Sequence, residues 1–204
     1  MFITFEGIDL CGKSTQASML YKYLTDNGKK AVLVREPGGT LISERIRDIL
    51  LDKRNLAMES LTEFLLFSSS RCQLTKEVIL PNLKKNYIVI CDRYYDSSTA
   101  YQGYGGGVDL KIIEKINKIA ASGLKPDITF FINIGYGESL RRRRLINKKH
   151  DRIELKEQRY YKRVYEGYID IAKSERKRIV EIDGTKKIND IHKIIVTNLK
   201  NKFK

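Results

Sequence analysis

Phe2-Ile3-Thr4-Phe5-Glu6-Gly7-Ile8-Asp9-Leu10-Cys11-Gly12-Lys13-Ser14 opens the chain, and its reading decides the fold. Phe2–Glu6 is an apolar run of strand length. Lys13 to Asn27 carries Met19, Leu20, Tyr23 and Leu24 at helical spacing and stops at Asn27-Gly28. Between them, Gly7 to Ser14 satisfies G-x-x-x-x-G-K-[ST], a pattern that gains its meaning from a strand before it and a helix after it. Gly7 and Gly12 let the backbone wrap closely enough for successive N–H groups to face phosphate oxygens, and the helix start adds donors. Lys13 neutralises the β- and γ-phosphates of ATP, and the Ser14 hydroxyl suits Mg²⁺. The expected ATP-binding set is therefore Gly7, Ile8, Asp9, Leu10, Cys11, Gly12, Lys13, Ser14 and Thr15.

Further strand candidates recur at Ala31–Arg35, Tyr87–Cys91, Ile128–Ile134 and Arg178–Asp183. Helical patterns lie between them. Ile112, Ile113, Ile116, Ile119 and Ala120 form one stripe, with Asp109 as its N-cap and Gly123 near its end. Ile188, Ile191, Ile194, Ile195 and Leu199 form another. This alternation predicts an α/β fold with a parallel sheet flanked by helices on both faces, and ligands beyond the carboxyl ends of its strands. The third strand runs into Asp92-Arg93. Asp92 is either a metal ligand, direct or through water, or half of a strand-end salt bridge; the phosphate loop favours the metal. Arg93 projects towards the same phosphates.

At 204 residues the chain builds one sizeable core, with 42% apolar and 31% charged residues. No apolar run approaches the ~18 residues of a membrane span. The N-terminus has neither a basic start nor a small-residue cleavage site, so the expected location is cytoplasmic. Cys11, Cys72 and Cys91 lack the spacing of a disulfide framework or zinc site. Inert packing is favoured for them, with a reactive thiol at Cys11 as the alternative. The net charge of +14 gathers in Arg141–Arg144, Lys148-Lys149, Arg176–Arg178 and Lys200–Lys204 without regularly interleaved aromatics. That reads as solvated surface, compatible with polyphosphate ligands, and nucleic acid is not an expected partner.

The chain resembles the thymidylate kinase family over almost its whole length. The resemblance rests on Phe5-Glu6-Gly7-Ile8-Asp9, Arg35-Glu36-Pro37-Gly38-Gly39-Thr40, Leu66-Phe67 with Arg71-Cys72-Gln73, Asp92-Arg93-Tyr94, Ser97 to Gly103, and Asp151-Arg152-Ile153-Glu154. It implies the P-loop NTPase fold with five parallel strands and a mobile lid at about 141–152, all one nucleotide kinase domain over 1–204. It also implies a homodimer, ATP as donor with Mg²⁺, and dTMP as acceptor on the way to dTTP. Residue by residue, Arg71 would hydrogen-bond the thymine, Phe67 stack on it, and Ser98 and Gln102 complete the edge. Tyr101 would pack on the sugar and disfavour a 2′-hydroxyl. Arg93 and Arg47 would grip the acceptor phosphate, while Asp9 and Glu36 order acceptor and metal. The metal set is then Ser14, Asp92 and Asp9. Without the resemblance, Phe67 within Phe64-Leu65-Leu66-Phe67 reads first as core.

Catalysis is expected from Lys13, Arg93, Asp9 and a lid arginine, because Ile8–Cys11 offers none beside the transferring phosphoryl group. Arg143 or Arg144 is the candidate, with Lys148 and Lys149 weaker. Three departures from the family stand out. Leu10 replaces a common Gly, Tyr104-Gly105-Gly106-Gly107 lacks an arginine, and the lid is one residue longer than in some relatives. His150 and His192 receive no role, His192 being expected on the last helix's surface. The alternatives are a same-fold kinase with another acceptor such as dUMP, and a non-catalytic nucleotide-binding or nucleic-acid-acting P-loop protein.

Overall fold

The structure is a computed structural model that describes residues 1–145 and 151–202. Five parallel strands form one sheet: β1 (Phe2–Glu6), β2 (Ala31–Arg35), β3 (Ile88–Asp92), β4 (Ile128–Asn133) and β5 (Ile179–Asp183), in the spatial order β2-β3-β1-β4-β5. Ile3 faces Ile90 on one side and Ile128 on the other. β1 is buried along its whole length, whereas in edge strand β2 only Ala31 is buried and the rest alternate between half-buried and exposed. A central strand covered on both faces needs apolar residues throughout, and an edge strand does not. Ile3, Phe5 and Ile90 pack with Leu20 and Leu24 of α1 (Lys13–Asp26) on one face. Phe2, Val89 and Cys91 pack with Leu74 and Ile79 on the other.

α2 (Leu41–Leu51) is capped by Thr40, whose side chain accepts from the Ser43 N–H, and it packs beside α3 (Ser60–Leu74). A π-helical stretch, Thr75–Ile79, joins α3 to α4 (Leu80–Lys84). A second one, Thr99–Gly105, continues α5 (Tyr95–Ser98). α6 (Leu110–Ala120) starts on Asp109, which accepts from the Lys111 N–H, and Gly123 follows its end at φ +74. Both features match the sequence expectation. α7 (Tyr136–Leu145), α8 (Gln158–Ser174) and α9 (Ile188–Lys202) complete the covering layers.

The chain leaves β1 at the sheet's centre, crosses to β2, returns to β3 beside β1, and then passes to β4 on the other side. The carboxyl ends of β1 and β3 therefore open one crevice; β3 ends at Asp92, in register with Phe5 and two residues short of Gly7.

Candidate active site

The loop after β1 turns on three residues at positive φ, two of them glycines. Gly7 has φ +141, and a Cβ there would lie 2.7 Å from the Ile132 carbonyl oxygen of β4. Gly12 is left-handed at φ +94 immediately before α1. Leu10 is also left-handed, at φ +67, so the leucine that replaces a common glycine keeps a conformation glycine would favour. Lys13 is buried, while Ser14 and Thr15 are exposed at the helix start. Cys11 packs in the core under the loop and burial pushes its thiol up, which supports the inert reading.

A cleft of about 320 Å³ lies beyond the strands. Asp9, Lys13, Ser14, Glu36, Arg47, Phe67, Arg71, Asp92, Arg93, Ser98, Tyr101 and Gln102 all line it. Segments far apart in sequence thus meet at one opening. Asp92 Oδ1 is buried and makes no hydrogen bond, and no ion pair of Asp92 is seen among the described residues. A buried carboxylate oxygen left open beside Lys13 and Ser14 fits a hard cation with oxygen ligands. Among the described residues no group of three or more His, Cys, Asp or Glu side chains is arranged to hold a metal ion by itself.

Arg93 is left-handed at φ +71 and reaches across the cleft mouth. Its NH1 donates to the Gly7 carbonyl, Ser97 Oγ and Tyr168 Oη, and its NH2 to Asp9 Oδ1 and Tyr101 Oη. Its guanidinium also lies 5.0 Å from the Tyr101 ring centroid. Burial pushes the Asp9 carboxyl up, but Arg93 and Lys13 more than offset this and hold it below the usual range. Beneath Arg93 sits Glu6, which accepts from the Tyr94 N–H, Ser97 Oγ and Tyr168 Oη. Burial and the neighbouring Asp96 push its carboxyl up to about 7.

At the far end Arg71 is 1% exposed. Nε donates to Glu36 Oε2, NH1 to Asn117 Oδ1, and NH2 to Ser98 Oγ and the Tyr94 carbonyl. Five N–H donors less these four contacts leave one, on NH1. Arg71 is therefore also a structural hub, which the sequence reading did not anticipate. Phe67 is half-buried at the cleft wall, between core packing and an open ring face. Arg47 NH1 donates to the Pro37 carbonyl at the rim.

The arginines of α7 divide. Arg141 and Arg142 pair with Glu138, and Arg144 is exposed. Arg143 donates to the Glu154 carbonyl and Tyr161 Oη, lies over the Tyr161 ring, and is close enough to help lower Asp9. Lys148, Lys149 and His150 lie outside the described residues. Sequence reading missed Arg142, whose NH1 donates to the Leu10 carbonyl and which lines an open hollow with Gly12, Ser14, Thr15 and Leu145. It also missed Glu6, Glu63, Asn117 and the tyrosines of α8. Only Glu6 carried a signal, as part of the quoted motif. His192 is half-buried against Tyr23, not on the open surface as expected, and burial lowers its pKa.

With this geometry established, comparison with known proteins gives one answer. The family model described as thymidylate kinase matches residues 5–195. The chain belongs to the thymidylate kinase family. A thymidylate kinase of Sulfurihydrogenibium sp. (strain YO3AOP1) is 46% identical over 98% of this chain and 96% of its own length. One from Caldanaerobacter subterraneus subsp. tengcongensis is also 46% identical, over 96% of this chain and 92% of its own. The crystal structure of thymidylate kinase from Ehrlichia chaffeensis superposes with a TM-score of 0.79 at 37% identity, covering 98% of each chain. The family's P-loop NTPase fold agrees with the sheet described above. No helix among the described residues is long and apolar enough to cross a membrane.

Proposed function

We propose that this chain is a dTMP kinase, moving the γ-phosphoryl of ATP onto dTMP to give dTDP and ADP. The observation that carries the reading is that Lys13 and Ser14 line the same cleft as Phe67, Arg71 and Gln102. A triphosphate on the loop and a planar base at the far end would then bring γ-phosphate and acceptor phosphate together between them. Transfer needs an acceptor 5′-phosphate oxygen to bond the γ-phosphorus while the bond to the β–γ bridging oxygen breaks. No covalent enzyme intermediate is required, so positioning and charge stabilisation supply the catalysis.

Lys13 and the loop N–H groups hold the donor phosphates, and Arg93 with Arg47 holds the acceptor phosphate. Ser14 and Asp92, with Asp9 from the same cleft, would hold Mg²⁺, which would supply charge neutralisation at the donor phosphates. Of the two lid candidates we favour Arg143, whose charge reaches Asp9 and which donates to Tyr161 Oη. Arg144 is the weaker. Glu36 orders the acceptor end through Arg71, Phe67 supplies a stacking face, and Tyr101 fills the space a 2′-hydroxyl would need. We further read 1–204 as one kinase domain, cytoplasmic, and homodimeric through α2 and α3, where Leu41, Ile42, Ile49, Leu61 and Leu65 are exposed.

The test is an ATP-consumption assay with Mg²⁺ and dTMP, dUMP, dCMP, dGMP, AMP and UMP. The expected result is strong preference for dTMP, with dTDP and ADP formed in equal amounts. Preference for another monophosphate would keep the kinase and overturn the base pocket. ATP binding without transfer to any acceptor would overturn the enzyme reading.

A further inference from the structure

Glu63 lies on α3 with no exposed surface, and phosphoryl transfer as derived above makes no use of it. Its two oxygens nevertheless draw two hydrogen-bond donors from distant segments, and an arginine pairs with them by charge. Gln102 Nε2 donates to Oε1 at 2.8 Å. Lys156 Nζ reaches Oε1 at 3.1 Å and Oε2 at 2.9 Å, and Arg152 NH2 lies 2.7 Å from Oε2. Gln102 belongs to the π-helical stretch after α5, while Arg152 and Lys156 lie just before α8.

A carboxylate accepts hydrogen bonds and donates none. Burial pushes the Glu63 carboxyl up, but Lys156, the Gln102 amide and Arg152 more than offset this, so it stays ionised. An amide beside such a group has one workable orientation, with its NH₂ towards the carboxylate. For Gln102 this leaves Oε1 as the atom available to the cleft that Gln102 lines with Phe67, Arg71 and Ser98. The same cleft is lined by two donors. One is the unused N–H of Arg71; the other is the Ser98 hydroxyl, whose oxygen already accepts from Arg71. An acceptor and donors in one cleft complement a ring N–H beside a carbonyl. A 4-amino pyrimidine presents the reverse pattern, acceptor against acceptor.

We propose that Glu63 is a positioning residue for base selection: it fixes the Gln102 amide so that the cleft accepts a 4-oxo pyrimidine monophosphate and rejects a 4-amino one. Arg152 and Lys156 keep it charged for that purpose. The inference rests on the dTMP kinase reading of the cleft. Wild-type activity on dTMP is therefore measured first, and its absence would sink that reading separately.

The experiment compares kcat/KM for dTMP and dCMP in the wild type, E63Q, Q102M and the double variant. Losing one such hydrogen bond should lower the dTMP-to-dCMP ratio about tenfold in E63Q, with the KM for ATP nearly unchanged. Q102M should show a similar fall, and adding E63Q to it should move the ratio no further. A purely structural Glu63 would lower activity on both nucleotides together and leave the ratio alone; that outcome, or additive losses in the double variant, overturns the proposal. If E63Q does not fold, the wild-type side-chain amide of Gln102 decides. Its NMR signals, assigned by their loss in Q102M, should be protected from hydrogen exchange, and an unprotected amide overturns the assignment.

Discussion

The two ends of the cleft are built on opposite plans. The donor end is backbone: Gly7, Leu10 and Gly12 in left-handed or glycine-favoured conformations, with Gly12, Ser14 and Thr15 open to solvent. The acceptor end is side chain: Arg71 on Glu36, Asn117 and Ser98, and Glu63 on Arg152, Lys156 and Gln102, all but Lys156 buried. Phosphates are alike in every nucleotide, so a loop of N–H groups suffices to hold them. A base must be told from other bases, and that needs fixed donors and acceptors whose own hydrogen bonds forbid reorientation. Generic recognition is thus assigned to the main chain and selective recognition to a buried polar network.

The largest effect should come from breaking the donor end at its one buried charge. Lys13→Ala removes the cation on the β- and γ-phosphates, and turnover should fall about a thousandfold while the circular dichroism spectrum is unchanged. Near-normal turnover would remove the phosphate loop from the mechanism. The acceptor end should respond differently. Arg71→Lys keeps a charge beside Glu36 but loses the fork that also reaches Asn117 and Ser98. The expected result is a rise of about a hundredfold in KM for dTMP, with little change for ATP. Equal losses for both substrates would mean the two ends are not separately built.

Much of the donor end was legible in the sequence, because its information is local. Gly7 to Ser14 contains the loop, and the flanking strand and helix confirm it within a dozen residues. Strand positions were also legible. Tyr87–Cys91 became Ile88–Asp92, and Arg178 fell outside β5 to clamp Asp96. The acceptor end was half legible: resemblance supplied Arg71, Ser98 and Gln102, but not what holds them. Glu63 meets Gln102 across 39 positions and Lys156 across 93, and Glu6 meets Tyr168 across 162. No periodicity records such pairings. Likewise, the four arginines of 141–144 look equivalent in sequence and differ only in what α7 lets each one touch.

A smaller effect concerns the floor beneath Arg93. Folding raises the Glu6 carboxyl from its ordinary 4.5 to about 7, through burial first and Asp96 second. Between those values the folded chain holds a proton that the unfolded chain has lost, so stability falls as pH rises from about 4.5 to 7. Below 4.5 both states are protonated and Glu6 contributes no slope. Glu6→Gln should flatten the decline by up to about 3 kcal/mol across that window. Urea midpoints of both chains from pH 4.5 to 7.5 measure the difference directly. Parallel curves would mean that Tyr94, Ser97 and Tyr168 stabilise the carboxylate well enough to cancel its burial.

The smallest effect tests whether the donor loop stores its strain where the geometry puts it. Leu10 at φ +67 carries a left-handed penalty of about 1 kcal/mol that glycine would not. Glycine also frees the unfolded chain, which takes back part of the gain. Leu10→Gly should therefore raise stability by less than about 1 kcal/mol, seen as a rise of about 2 °C in Tm. The Leu10 carbonyl, which accepts from Arg142, survives the change, so ATP binding should hold. A fall in Tm would show instead that the leucine side chain, beside Arg142 and Leu145 in the donor hollow, contributes more than its backbone costs. In that case the donor end would owe its shape to side-chain packing as well, and the division between the two ends would be one of degree.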